Sequence, residues 1–193
     1  MDKAIGLAVP VEIELQAPEH LNRYSFGLGY ATNTGLRGKL DWSNRLLNSR
    51  GLQMRGTFQL AELENTVTLQ FDRPRGDPRY NRLVHSLGYQ DKTWDETTTR
   101  LLTGSISHEY AGPRFKFSPG LELRDEVYDV GDTSGDSTLL LPSLNAGAVF
   151  ADDILHTRNG LQISVGLLGA LDKVVSDVSF LQTTLNLSLI HIS

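Results

Sequence analysis

The sequence predicts an all-β fold, an antiparallel sheet of the transmembrane-barrel kind, from three observations. Apolar and polar residues alternate with period two in run after run. The apolar side of the clearest runs carries no charge, and several aromatic residues fall near one set of strand ends. Successive side chains of a strand point to opposite faces, so each run has one greasy and one wet face. No stretch shows a helical period.

The first run has Tyr24, Phe26, Leu28 and Tyr30 on one face and Ser25, Gly27, Gly29 and Ala31 on the other. After the turn residues Asn33, Thr34 and Gly35, Leu36, Leu40 and Trp42 alternate with Arg37, Lys39 and Asp41. Beyond Asn48-Ser49-Arg50-Gly51, Leu52, Met54, Phe58 and Leu60 alternate with Gln53, Arg55, Thr57 and Gln59. A fourth run sets Val67, Leu69 and Phe71 against Thr66, Thr68 and Gln70. Four such runs in succession, broken by turn residues, predict antiparallel pairing.

Strands are also predicted around 83–89 and 97–107, without a clear register. Phe115, Phe117, Leu121 and Leu123 alternate with Lys116, Ser118, Glu122 and Arg124, and Leu140, Leu144, Ala148 and Phe150 mark another strand. The last two runs carry Leu161, Ile163, Val165 and Leu167, then Leu181, Leu185, Leu187 and Leu189. The total is about ten strands, most near the nine to eleven residues that cross a bilayer at a tilt.

Composition narrows the function classes. The 193 residues contain no Cys, which excludes disulfides, thiolate metal sites and a Cys nucleophile. A net charge of -5 argues against nucleic acid as a partner. No apolar run approaches the twenty residues of a membrane helix, a limit that does not apply to a membrane barrel. Met1-Asp2-Lys3 and the short stretch Ala4 to Val11 do not form a signal peptide.

Alternation by itself fits a soluble β-sandwich as well as a barrel. The uncharged apolar face favours the barrel, since Lys or Arg at a bilayer midplane costs about 2–4 kcal/mol. If the first strand ascends, Tyr24, Trp42, Phe71, Phe115 and Phe150 fall near one rim, as a membrane-interface girdle would. On the same topology the turns at 48–51, 74–79, 111–114 and 157–160 lie together, each joining Arg to Gly or Pro. The opposite side receives 90–98, 129–137 and 172–179, predicted to be longer, acidic loops.

Signals for chemistry are weak. His20, His85, His108, His156 and His191 are scattered, with no metal-ligand spacing. Gly27 and Gly29 begin a dinucleotide-like fingerprint, but Thr32 stands where its third Gly belongs and no helix follows. No G-x-S-x-G elbow is present. Asp129, Asp132 and Asp136 read as a solvated acidic loop, without the spacing of a calcium-binding EF-hand. Arg37, Lys39, Asp41, Arg55, Glu122 and Arg124 read as hydrated ion pairs on the wet face. No enzyme activity, cofactor or metal is expected.

The segment Val9 to Gly51 resembles a family junction: the last strand of a polypeptide-transport-associated (POTRA) domain running into the first two barrel strands of TamA-type proteins. These are the translocation and assembly module subunits of the BamA/TamA superfamily of outer-membrane insertases (bacterial surface antigen barrels). The resemblance rests on Val9 to Leu15, the SFGLGYATNTGLRG run at 25–38, Trp42, Asn44 and the Asn-Ser-Arg-Gly turn. Residues 131–144 and 176–189 are similar to the family's barrel too.

The resemblance implies a POTRA tail over 1–20 and the N-terminal part of an outer-membrane barrel over 21–193, about ten of sixteen strands. The family's Arg-Gly-Phe/Tyr motif and its closing strand with a terminal aromatic are not found, so a gene fragment is expected. The ending SLIHIS, residues 188–193, resembles translated adapter sequence more than family sequence.

The function implied is assembly of autotransporter-type barrels in the Gram-negative outer membrane, without a cofactor. The implied partners are outer-membrane lipid, a TamB-like periplasmic protein and β-barrel clients. In the superfamily the first barrel strand pairs weakly with the last. That places the client-binding lateral edge on Tyr24, Phe26, Gly27, Leu28, Gly29 and Tyr30, with the two glycines weakening the strand. The alternatives are a passive outer-membrane porin and a soluble β-sandwich binding module.

Overall fold

The computed structural model describes residues 20–32, 35–153, 156–172 and 175–191. The expected POTRA strand and the last two residues lie outside them.

Ten strands form one antiparallel sheet in sequence order: β1 (Asn22–Ala31), β2 (Gly35–Asn44), β3 (Gln53–Ala61), β4 (Glu64–Pro74), β5 (Asn81–Trp94), β6 (Thr97–Ala111), β7 (Phe115–Val130), β8 (Thr133–Ala151), β9 (Asn159–Ala170) and β10 (Phe180–His191). Every strand pairs only with its chain neighbours, so among the described residues β1 and β10 are free edges.

The registers confirm the period-two reading. Tyr24 lies opposite Trp42, Phe26 opposite Leu40 and Tyr30 opposite Leu36. The apolar row continues through Leu40 and Phe58, then Phe58 and Val67. Polar residues make their own rows, Asp41 with Thr57 and Thr57 with Thr68. The ambiguous pair resolves with Leu87 opposite Gly104 and Tyr89 opposite Leu102.

Among the described residues no second sheet packs against this one. Val84, Leu141 and Ala170 are the buried hydrophobic residues, and among the described residues no large side chain is fully buried. A β-sandwich would interdigitate two inner faces into a core about 10 Å thick, so the sandwich alternative is excluded. Most of the apolar face is exposed instead: Leu28 is 90% accessible and Phe26 78%.

Two of the three loops expected on the acidic side are not loops. Residues 90–98 are mostly strand, the ends of β5 and β6 joined across Asp95 and Glu96. Residues 129–137 likewise belong to β7 and β8, joined across Gly131 and Asp132. Asp95 (φ 50°) and Gly131 (φ 57°) supply the left-handed backbone that tight hairpin turns need. The four strands β5 to β8 therefore run to 14, 15, 16 and 19 residues. Their polar ends lack the alternating greasy face that marks a strand in sequence. Residues 171, 172 and 175–179 do lie outside the strands, between β9 and β10.

That segment has a structural task. β8 pairs with β9 only from Ser143 onward, which leaves the edge of its first half without a strand partner. Ser176 and Asp177 cover it. The Thr138 amide donates to Asp177 Oδ2 at 2.5 Å, and the Asp177 amide donates to the Thr138 carbonyl at 3.1 Å. Ser176 Oγ accepts from the Leu140 amide at 2.8 Å and donates to its carbonyl at 3.3 Å. Ser176 is buried in consequence.

At the other end, Asp152 organises the β8–β9 turn. Its Oδ1 accepts from the amides of Asp153, Arg158 and Asn159. These amide bonds, that from Asp153 foremost, hold its carboxyl below the ordinary aspartate range.

Two outcomes are expected. Ser176→Ala leaves the Leu140 amide and carbonyl without their partner at a cost of about 1–3 kcal/mol, read as faster hydrogen exchange at Leu140 than at Gly166. Because the folded pKa of Asp152 is depressed, its contribution is complete above the unfolded-state pKa and is lost as pH falls through the folded value. The Arg158 and Asn159 amides therefore lose protection in that acidic range, and Asp152→Asn removes the pH dependence.

Candidate functional site: a free strand edge

The backbone hydrogen bonds decide which groups the β1 edge presents. In an antiparallel pair, residues alternate between those bonded to the neighbour and those whose N–H and C=O point the other way. The Arg45 amide donates to the Leu21 carbonyl at 3.0 Å, which places the odd-numbered residues of β1 in the bonded set with β2. The outward set is then Asn22, Tyr24, Phe26, Leu28 and Tyr30. The same alternation runs unbroken across the sheet. Thr93 donates to the Leu63 carbonyl, Val149 to that of Arg114 and Asp152 to that of Asn159. On β10 the outward set is Leu181, Thr183, Leu185, Leu187 and Leu189, by the same alternation and the β9–β10 register.

Four of the six residues expected at the client edge therefore carry its free backbone groups: Tyr24, Phe26, Leu28 and Tyr30. Gly27 and Gly29 belong to the other set, opposite Lys39 and Arg37, and bond inward to β2. A Cβ at Gly27 would meet nothing closer than Lys39 Cβ at 3.9 Å, so no crowding demands glycine there. A Cβ at Gly29 would lie 2.8 Å from Arg37 Nε, so that glycine makes room for a guanidinium.

Sequence reasoning missed Asn22. Its Oδ1 accepts from Trp42 Nε1 at 3.1 Å and from Asn44 Nδ2 at 2.9 Å. This clamp ties the first residue of β1 to β2, while the glycines weaken the strand further along. β1 is thus clamped to β2 at the open end of their hairpin, where a two-stranded unit would otherwise fray first. The visible signal was Asn at a strand start with Trp and Asn two residues apart in the next strand.

The girdle residues all lie near the strand ends at the arginine-bearing turns. Tyr24 and Trp42 face each other, two residues inside β1 and β2. Phe71 is three residues from the end of β4, Phe115 opens β7 and Phe150 is next to last in β8. Tyr24, Phe115 and Phe150 are more than half exposed.

Polar-face charges pair largely as expected: Lys39 with Asp41 at 3.1 Å and Arg124 with Glu122 at 2.8 Å. Arg55 pairs with Asp72, which the sequence did not single out, and Asp72 also accepts from Gln70 Nε2 at 2.7 Å. Arg37 makes no ion pair among the described residues. A cleft of about 560 Å³ on this face is lined by Lys116 together with the amide and hydroxyl groups of Ser118, Asn145, Gln162, Ser164 and Thr184. Among the described residues no cluster of three His, Asp or Glu side chains is positioned to hold a metal.

No protein-family model and no curated protein matches the sequence. Among solved structures, the crystal structure of BamA from Haemophilus ducreyi lacking POTRA domains 1–3 matches with a TM-score of 0.66 at 12% identity, over 86% of this chain. The chain shares its fold with the BamA barrel. It spans 37% of that BamA chain. The expected fold class is thereby shown, as ten antiparallel strands of a BamA-type barrel in an open sheet.

Gly27→Ala is expected to stabilise β1 by about 0.5–1 kcal/mol, because it restricts the unfolded chain and meets no obstacle. Slower amide exchange at Ser25 and Gly29 checks this.

Proposed function

We propose that these strands belong to an outer-membrane protein assembly factor of Gram-negative bacteria, and that the β1 edge is the template on which an incoming β-barrel protein adds its strand. The observation that carries the reading is the BamA-type fold, in which the outer edge of β1 has no partner among the described residues. Its free N–H and C=O groups sit on Tyr24, Phe26, Leu28 and Tyr30, residues whose side chains form an apolar face.

An apolar face with its aromatic rim matches what outer-membrane lipid requires of a barrel exterior. In hydrocarbon each unsatisfied backbone group costs several kcal/mol. A free edge there gains most by accepting another strand, with backbone bonds giving affinity and alternate side chains giving specificity. Strand addition of this kind needs no catalytic group, cofactor or nucleic acid.

In its finer form the proposal is a TamA-type subunit. Residues 1–20 would then be the tail of a POTRA domain, the clients autotransporter barrels, and the periplasmic partner TamB-like. The resemblance of residues 9–51 supports this form. The POTRA-like segment Val9 to Leu15 speaks against the porin reading.

The absence of Cys makes the test direct. Leu28→Cys at the edge and Leu87→Cys on the same face of the central β5 are each challenged with a client barrel carrying one Cys in its last strand. Capture by Leu28→Cys well above Leu87→Cys is expected. Equal yields would sink the templating role. Capture at Leu185→Cys alone would move it to β10. An autotransporter barrel captured no better than another outer-membrane barrel would remove the TamA-type refinement.

A further inference from the structure

In a chain of net charge -5, one corner of the sheet is strongly basic. Residues 45–55 and 72–80 contain six arginines and two aspartates, a net of +4. The fold brings the two segments together. A Cβ on Gly51, in the β2–β3 turn, would lie 3.4 Å from Pro74 Cγ at the end of β4. β3 and β4 are also paired up to this point, Gln53 opposite Asp72.

Both acids of the corner are already engaged. Asp72 is buried and paired with Arg55. Asp77 takes Arg79 through Nη2 at 2.8 Å and Nε at 3.1 Å, and that guanidinium lies 5.2 Å from the centre of the Tyr80 ring. This pairing holds the Asp77 carboxyl below its ordinary range. Four cations remain, Arg45, Arg50, Arg73 and Arg75, all exposed and without an ion pair among the described residues.

The position of Arg73 indicates what neutralises them. Along β4 the apolar face is Val67, Leu69 and Phe71, and Arg73 occupies the next place on that same face, opposite Leu83 of β5. A guanidinium at the border of an apolar surface, one step past an aromatic ring, suits a group that is anionic and joined to hydrocarbon. A phosphodiester headgroup answers that description, and guanidinium binds phosphate through paired hydrogen bonds. A wholly polar acidic protein surface would have to desolvate its own polar groups against Phe71 and Leu83 with no hydrogen bond in return.

We infer that this arginine corner is a binding site for anionic phospholipid headgroups, fixing the depth and tilt of the sheet beside β1. The inference rests on the membrane reading above and adds a lipid preference to it.

The test uses the full chain with Trp94→Phe, which leaves Trp42, on β2 beside the corner, as the one tryptophan. It is reconstituted into mixed phosphatidylcholine and phosphatidylglycerol vesicles in which one lipid or the other carries brominated acyl chains. Trp42 quenching then reports relative association. A preference of about fivefold for phosphatidylglycerol at low salt, weakening at high salt, is expected. Arg50→Gln, Arg73→Gln and Arg75→Gln together should bring the ratio close to one, while the three Lys substitutions, which keep the charge and lose the paired hydrogen bonds, retain part of it. Quenching by both lipids with no preference, or a preference unchanged by the Gln variant, overturns the inference and leaves the membrane reading standing. No quenching by either lipid overturns both.

Discussion

Each strand of the sheet is held by the backbones of its neighbours, with no second layer behind it among the described residues. A soluble domain gains most of its stability from apolar area removed from water, yet here Phe26 and Leu28 stand almost bare. Lateral hydrogen bonding is therefore the interaction on which everything else depends. Wherever it lapses, the structure either supplies a substitute or leaves reactive groups. At the upper part of β8 it supplies one, since Ser176 and Asp177 satisfy Thr138 and Leu140 in place of a strand. At β1 among the described residues it supplies none.

That contrast gives the β1 edge its meaning. The outward groups alternate with the bonded ones, and chirality ties that alternation to the faces. On β1 the residues that reach beyond the sheet are those with apolar side chains. A strand adding there in antiparallel sense extends the apolar face and the backbone ladder in one step. The Asn22 clamp fixes the open end of the β1–β2 hairpin.

Charge follows the same axis. The turns after β2, β4, β6 and β8 all carry arginine, whereas the hairpin tips after β5 and β7 carry Asp95, Glu96 and Asp132. On the polar face between them Lys39 pairs with Asp41, Arg55 with Asp72 and Arg124 with Glu122, and Arg37 has no ion pair among the described residues. Uncompensated cations are thus concentrated at the rim where the girdle aromatics lie. The proposed lipid site is one consequence of that arrangement.

The sequence by itself determined the strands whose two faces differ, because a period of two is written residue by residue. Tyr24 to Tyr30, Leu36 to Trp42 and Val67 to Phe71 needed no coordinates. It misjudged 90–98 and 129–137, where a strand projects past the alternating region and its side chains face water on both sides. Such a strand is indistinguishable from a loop in composition, and the paired backbone alone reveals it. Single layer against sandwich, the phase of the free hydrogen-bonding groups, the Asn22 clamp and the meeting of Gly51 with Pro74 were likewise decided by tertiary structure. Each depends on which distant backbone lies alongside, a relation that no local pattern of side chains encodes.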